Sequence, residues 1–194
     1  IIYVGAPAGG FWISEDGGAS WISYTDIMPT LGVSSIVVDY NNPNIIYLGS
    51  GDRDAGDASG LGIFKSIDAG QNWVQWNNGM GNTTVGRLIM HPTNNQIIFA
   101  ATSAGIFKTI DAGVNWYQVK NGSTKEIVFK TDDPSVIFAS GGGNFYRSTD
   151  EGESFLKINS GISSASRGLI GVSPANPNVV YFHTVSGSVY AATY

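Results

Sequence analysis

One eight-residue pattern recurs four times in this chain, and it constrains the fold more than any other feature. It stands at Ser66–Trp73 and almost unchanged at Thr109–Trp116, with an earlier copy at Ser14–Trp21 and a later one at Ser148–Phe155. Each copy has Ser or Thr first, Asp third, Gly fifth and a large aromatic eighth. The sets are Ser14, Asp16, Gly18, Trp21; Ser66, Asp68, Gly70, Trp73; Thr109, Asp111, Gly113, Trp116; and Ser148, Asp150, Gly152, Phe155. Successive aspartates stand 52, 43 and 39 residues apart. A period of about 40–50 residues filled with short apolar segments is that of a four-stranded propeller blade.

Four strands can be read in each unit. The first runs over 33–39, 87–91, 125–130 and 168–173, each followed by a turn rich in Pro and Asn, where proline presets φ and Asn tolerates turn geometry. The second is a β-branched and aromatic run: Ile45-Ile46-Tyr47-Leu48, Ile97-Ile98-Phe99-Ala100, Val136-Ile137-Phe138-Ala139 and Val179-Val180-Tyr181-Phe182, with Ile1-Ile2-Tyr3-Val4 in the same series. The third is Phe11-Trp12-Ile13, Ile63-Phe64-Lys65, Ile106-Phe107-Lys108 and Phe145-Tyr146-Arg147, and the octapeptide leads from it into the fourth. The expected fold is all-β: antiparallel four-stranded blades in units 1–26, 33–77, 85–120, 124–159 and 166–194, about four blades forming an arc of a larger propeller. An open solenoid of the same units is the alternative. The chain opens on a second strand and stops in a third (Ser188 onward), so it reads as a piece of a longer protein.

Composition narrows the function. Of 194 residues 42% are hydrophobic and 13% charged, a packed domain and not a disordered one. The net charge of −5 argues against a nucleic-acid surface. No apolar run approaches the ~18 residues of a membrane span. With no cysteine, a disulfide scaffold, a thiolate nucleophile and a Cys-ligated metal are all excluded.

The octapeptide needs its residues for local reasons. The Asp can accept hydrogen bonds from turn amides, the Gly permits positive φ, the hydroxyl adds a second bond, and the aromatic packs over the hairpin. Read this way the box is structural and offers no reactive group. Ligands are then expected on the opposite face, which carries the loops between second and third strands. One such loop, Gly49 to Gly60, is longer than its equivalents and places Asp52, Arg53, Asp54 and Asp57 within six residues. Asp52, Asp54 and Asp57 are candidates for a Ca²⁺ site or for one acidic catalytic residue of a glycosidase pair. The plainer reading is a solvated loop closed by an Arg53 ion pair and Asx turns. Arg87 and Arg167 lie near the starts of first strands and are expected to pair with Glu126 or with aspartates. His91 and His183 form no recognisable ligand pair. Among Trp12, Trp76, Tyr24 and Tyr117, Trp76 and Tyr24 are the expected exposed platforms for a ligand. No Ser-His-Asp set, phosphate loop or dinucleotide fingerprint appears.

The box resembles the Asp-box, or BNR, repeat found in sialidases, in two-propeller xyloglucan-cleaving glycosidases and in sortilin-type receptors. Gly51-Asp52-Arg53-Asp54-Ala55-Gly56-Asp57, His91-Pro92-Thr93-Asn94-Asn95 and Gly171–Asn178 are similar to stretches in large secreted proteins of gliding bacteria, of the kind that are type IX secretion cargo. This chain departs at Phe155, which replaces Trp, and in the last unit, where Ala192 and Tyr194 stand in place of Ser and Asp. The resemblance implies a secreted or cell-surface bacterial protein whose propeller binds protein or polysaccharide through its loop face without catalysis. Its partners would be the remaining blades, that ligand and the secretion machinery, with no cofactor beyond a possible Ca²⁺. Part of a glycoside hydrolase using an acid–base carboxylate pair, and a sortilin-like ligand-binding propeller, are the other implied readings.

Overall fold

The computed structural model describes residues 1–158, 161–162, 165–187 and 189–194. The expected unit boundary at 159 and the strand position Ser188 lie outside the described residues. Among those described there is no helix, hence none long and apolar enough to cross a membrane. Strands build five antiparallel sheets in chain order. Sheet 1 holds β1 (Ile2–Ala6), β2 (Gly10–Ser14) and β3 (Ile22–Ser23). Sheet 2 holds β4 (Val33–Val38), β5 (Ile46–Ser50), β6 (Ile63–Ser66) and β7 (Val74–Gln75). Sheet 3 holds β8 (Val85–Met90), β9 (Ile98–Thr102), β10 (Gly105–Thr109) and β11 (Tyr117–Asn121). Sheet 4 holds β12 (Glu126–Phe129), β13 (Ile137–Gly141), β14 (Asn144–Ser148) and β15 (Leu156–Ile158). Sheet 5 holds β16 (Arg167–Val172), β17 (Val180–Ser186) and β18 (Val189–Thr193). Every sheet is a meander in which each strand pairs with the next.

The sheets stack face against face, and the side-chain period of two decides which neighbour each residue meets. On β5, Ile46 and Leu48 pack with Phe11 and Ile13 of sheet 1, while Tyr47 between them packs with Val85, Ile98 and Phe107 of sheet 3. On β9, Ile98 and Ala100 face sheet 2, while Phe99 and Ala101 face Ile127 and Ile137 of sheet 4. Strands β5, β9 and β13 are therefore buried along their whole length, which is why they read as unbroken apolar runs instead of alternating ones. Each fully buried Ile or Phe contributes about 1.5–3 kcal/mol, so the core is four layers between sheets and not one central mass. The outer strands β3, β7 and β15 are short, as edge strands exposed to pairing with other chains tend to be.

First strands β4, β8, β12 and β16 adjoin one another in succession, so the sheets turn about a common inner side. The two ends of each sheet are distinct. At one end the Pro-Asn turn meets the octapeptide: Ala69 N donates to Asn44 O (2.9 Å), Ala112 N to Gln96 O (3.0 Å) and Glu151 N to Ser135 O (3.0 Å). At the other end the β5–β6 loop meets the connection into sheet 3, with Gly62 N donating to Thr83 O at 2.9 Å. Gly60 is pressed there against backbone, since a Cβ would stand 2.3 Å from Thr84 Cα. The long loop and the octapeptides thus occupy opposite ends.

Candidate functional site

All four octapeptides close by one hydrogen-bond scheme. In the second, Ser66 Oγ donates to Asp68 Oδ1 (2.7 Å) and accepts from Gly70 N (2.8 Å), while Asn72 donates to Asp68 from its backbone (2.9 Å) and from Nδ2 (2.7 Å). Ser20, Asn115 and Ser154 make the equivalent pair of bonds to Asp16, Asp111 and Asp150. Donors on both oxygens hold these carboxyls well below the usual range, to about 2 for Asp68, where the Asn72 side chain is the largest cause, and for Asp150, where Ser148 is. They are anions held by the turn that they brace.

The box also works beyond its own hairpin, which the local reading missed. Its fourth and fifth residues both take positive φ (Ala69 59° and Gly70 92°; Ala112 57° and Gly113 83°; Glu151 57° and Gly152 78°), and this swings the corner against the preceding sheet. A Cβ on Gly70 would stand 2.7 Å from Phe11 Cε1, and one on Gly152 2.4 Å from Phe99 Cε1. Trp73 meets Phe11 edge-on at 5.2 Å, and Trp116 Nε1 donates to Trp76 O at 2.9 Å. Trp21 folds back on its own hairpin, with Nε1 donating to Gly18 O at 3.2 Å. The eighth-position aromatics Trp73 and Trp116 are blade-to-blade wedges.

The loop Gly51 to Gly62 is built around Asp52. This residue is buried, and its carboxylate accepts from the amides of Asp54 (2.8 Å), Ala55 (3.1 Å) and Asp57 (3.4 Å). Those bonds, the Asp54 amide first, hold its carboxyl below the usual range. Arg53 pairs within the loop, its Nε 3.4 Å from Asp54 Oδ2, and also reaches out of it. Its Nη1 donates to Gly86 O (3.2 Å) and Lys125 O (3.1 Å) and lies 3.7 Å from Glu126 Oε2. Glu126 is buried and also meets Arg87, whose Nη1 lies 2.6 Å from Oε1, an ionic contact without an N–H aligned on the oxygen. Asp54 stands half-exposed among Arg167 Nη2 (3.1 Å), Arg53 Nε (3.4 Å) and Lys125 Nζ (3.7 Å). The loop of sheet 2 therefore reaches across to the strand starts of sheets 3, 4 and 5. Beside it lies a cleft of about 480 Å³, lined by Pro7, Ser35, Asp52, Arg53, Asp54 and Arg87 among others.

This geometry separates the three carboxylates that the sequence places together. Asp52 serves amides, Asp54 serves cations, and exposed Asp57 gives the loop its amide. Among the described residues no three His, Cys, Asp or Glu side chains are gathered to hold a metal ion. Lys125 belongs to the cluster although nothing in the motif reading marked it. Its signal was position: like Arg167, it stands at the start of a first strand.

The expected aromatic platforms lie elsewhere. Trp76 is half-buried against the core between sheets 2 and 3, its indole N–H enclosed without a partner, and Gly113 abuts its ring. It is less exposed than expected, and its open side lines a hollow of about 330 Å³ with Lys65, Ile67, Asp68 and Val74. Tyr24 is 40% exposed but follows the outer strand β3, and neither it nor Trp76 lines the cleft of Asp52 to Asp54. Trp12 and Tyr117 are partly exposed, at 38% and 37%. His91 packs edge-on to Phe129, and His183 binds Thr193 Oγ1 at 3.0 Å; both are held locally.

Solved structures share this arrangement. The GH74 xyloglucanase from Xanthomonas campestris superposes with a TM-score of 0.72 at 17% identity, over 98% of this chain and 33% of its own. The GH74 enzyme of Niastella koreensis gives 0.64 at 25% identity, over 95% of this chain and 31% of its own. The extracellular domain of BT4673 from B. thetaiotaomicron gives 0.72 at 15% identity, over 95% and 25%. The fold is a β-propeller. The chain spans between a quarter and a third of the length of these structures. No family model and no curated protein matches it.

Proposed function

We propose that the chain is part of an extracellular Asp-box propeller that binds a glycan through its loop face without cleaving it. The observation that carries this reading is the separation of labour among acidic residues. Box aspartates are consumed by turn amides and Ser or Asn side chains at one end, and at the other end Asp52, Asp54 and Glu126 are committed to amides or cations. What remains open on the loop face is a polar cleft with charged walls, a recognition surface. A glycan is preferred over a protein ligand because three structurally similar propellers are GH74 enzymes, one a xyloglucanase. Export as type IX cargo belongs to the same proposal and rests on sequence resemblance, and the joining of further blades rests on the count of repeat units; sortilin-like ligand capture is an alternative to it, on resemblance alone.

The glycosidase reading is favoured by the likeness to those GH74 enzymes. It requires one carboxyl that keeps its proton and a second that stays ionised; the amide bonds that lower the Asp52 pKa suit only the second role, and the acid would then come from elsewhere in the protein. Affinity electrophoresis of the chain in gels containing xyloglucan or polygalacturonate, with reducing-end assays on the same polymers, tests both. Retarded migration with no new reducing ends is expected. Hydrolysis abolished by Asp52→Asn or Asp54→Asn establishes the enzyme instead, and unretarded migration in every gel removes the glycan reading.

A further inference from the structure

Three cations from three elements converge on one carboxylate: Arg53 from the loop of sheet 2, Lys125 from the entry to β12 and Arg167 from the start of β16 all face Asp54. Among the described residues, Lys125 and Arg167 have no other carboxylate within 4.0 Å. Arg53 has Glu126, but shares it with Arg87. Asp54 is 41% exposed and sits at the tip of a loop whose residues 54–57 are all exposed, next to the open cleft. The anchors of the loop are Asp52 and Arg53, and the Asp54 amide donates to Asp52; the Asp54 carboxylate is held only by partly exposed ion pairs, each worth roughly 0.2–1 kcal/mol. The cationic site is thus built by the inner strands, while its occupant is a weakly held side chain of the same molecule.

We propose that Arg53, Lys125 and Arg167 form a carboxylate-binding site that Asp54 occupies from within the chain, and that the ligand displacing it is an acidic glycan carrying a uronic-acid residue. This rests on the reading of the loop face as a glycan site and gives that glycan a charge. When Asp54 swings out, Lys125 and Arg167 present donors with no internal anion, and the guanidinium of Arg167 matches a carboxylate in the two-pronged manner that a lysine cannot. Occupancy by Asp54 lowers the apparent affinity in proportion to the time the site is filled. The internal carboxylate therefore acts as a threshold, excluding weak anions and admitting a ligand with additional contacts in the cleft.

Calorimetric titration of the full chain with trigalacturonate, and separately with a neutral xyloglucan heptasaccharide, tests the proposal. Trigalacturonate should bind, and more weakly as salt is raised. Asp54→Asn should bind it roughly threefold or more tightly, and Arg167→Gln roughly tenfold more weakly. Lys125→Gln, a change at a partly exposed side chain, is the second cationic variant should Arg167→Gln lose its melting transition. Equal or weaker binding by Asp54→Asn, or indifference to both cationic variants, overturns the proposal. If the neutral heptasaccharide binds and trigalacturonate does not, the proposal fails and the glycan reading stands. If neither sugar binds, both fail.

Discussion

Tyr47 of sheet 2 donates its hydroxyl hydrogen to the carbonyl of Ala112 in the octapeptide of sheet 3, at 2.9 Å. Ala112 is the left-handed fourth residue of its box, and the same oxygen receives Lys65 Nζ at 3.3 Å. Thr109, Asp111 and Asn115 hold the corner in shape, and the corner then offers its carbonyl to the neighbouring sheet. The equivalent contact one sheet on is Lys108 Nζ to Glu151 O at 2.9 Å, reinforced by an ion pair with Glu153. Removing the buried hydroxyl in Tyr47→Phe should cost about 1 kcal/mol, since Lys65 still serves the acceptor. Urea unfolding with an unchanged slope and a lowered midpoint is the expected result. No change in midpoint means that the bond contributes nothing to blade docking.

Two box glycines differ in what stands beside them, and this separates backbone strain from docking. At Gly152 (φ 78°) a Cβ would enter the Phe99 ring at 2.4 Å, whereas at Gly18 (φ 98°) the nearest atom is 3.8 Å away. Gly18→Ala should therefore carry only the left-handed backbone cost of about 1 kcal/mol, and Gly152→Ala that cost plus about 1–3 kcal/mol of overpacking. Thermal melts of the two variants give the comparison. Equal losses refute the docking role of the fifth position.

Acid should loosen the boxes within a defined window. The folded-state pKa values of Asp68 and Asp150 are depressed to about 2 from an ordinary value of 3.8. A depressed acid contributes stability that is fully present above its unfolded pKa and is lost as pH falls through the folded one. Asp111 and Asp16 shift in the same direction. Stability should be level down to about pH 5 and then fall steadily towards pH 2. Asp68→Asn should flatten that fall while lowering the plateau, as read from urea midpoints at each pH.

Much of this was legible because repetition averages out local ambiguity. Four copies of Asp, Gly and an aromatic at fixed spacing place the hairpin, and the runs such as Ile97-Ile98-Phe99-Ala100 place the strand buried on both faces. What was not legible depended on equivalence of role and not of residue. The seventh box position is Ser20, Asn72, Asn115 and Ser154, two residue types with one function, donation to the box Asp. The fourth is Gly17, Ala69, Ala112 and Glu151, which share only a positive φ. Lys65 and Lys108 recur at one position of the third strand, but nothing in a single chain says that they reach into the next unit. The loop was legible as acidic and long. That Arg53 would bridge to Glu126 and Asp54 to Arg167, 113 residues away, depends on sheet 2 facing sheets 4 and 5 across the inner side.

The seventh position makes a direct test of that equivalence. Asn72→Ser should be nearly neutral, because Ser20 and Ser154 perform the same double donation with a hydroxyl. Asn72→Ala keeps the backbone bond and loses the side-chain one, and should cost about 1 kcal/mol. It should also move the Asp68 carboxyl upward, because the Asn72 side chain is the first cause of its depression. Carbon-detected NMR titration of the Asp68 carboxyl in the three proteins reads the shift, and an unmoved titration in Asn72→Ala contradicts the assignment.

Arg53 offers the sharpest test of the loop anchor. Its guanidinium donates to Gly86 O and Lys125 O from one nitrogen while facing Glu126 and Asp54. A lysine keeps the charge but not the planar fork, so Arg53→Lys should recover only part of what Arg53→Ala loses. Arg53→Ala leaves Glu126, 5% exposed, with Arg87 as its one remaining ion-pair partner among the described residues. The loss should be about 2 kcal/mol, below the full 3–5 kcal/mol of a broken buried pair because Arg87 remains. In the Glu126→Gln background the same Arg53→Ala change should cost measurably less, giving a coupling energy of about 1 kcal/mol or more. Additive losses in that cycle would show that Arg53 holds the loop through the two carbonyls alone, with its charge playing no part.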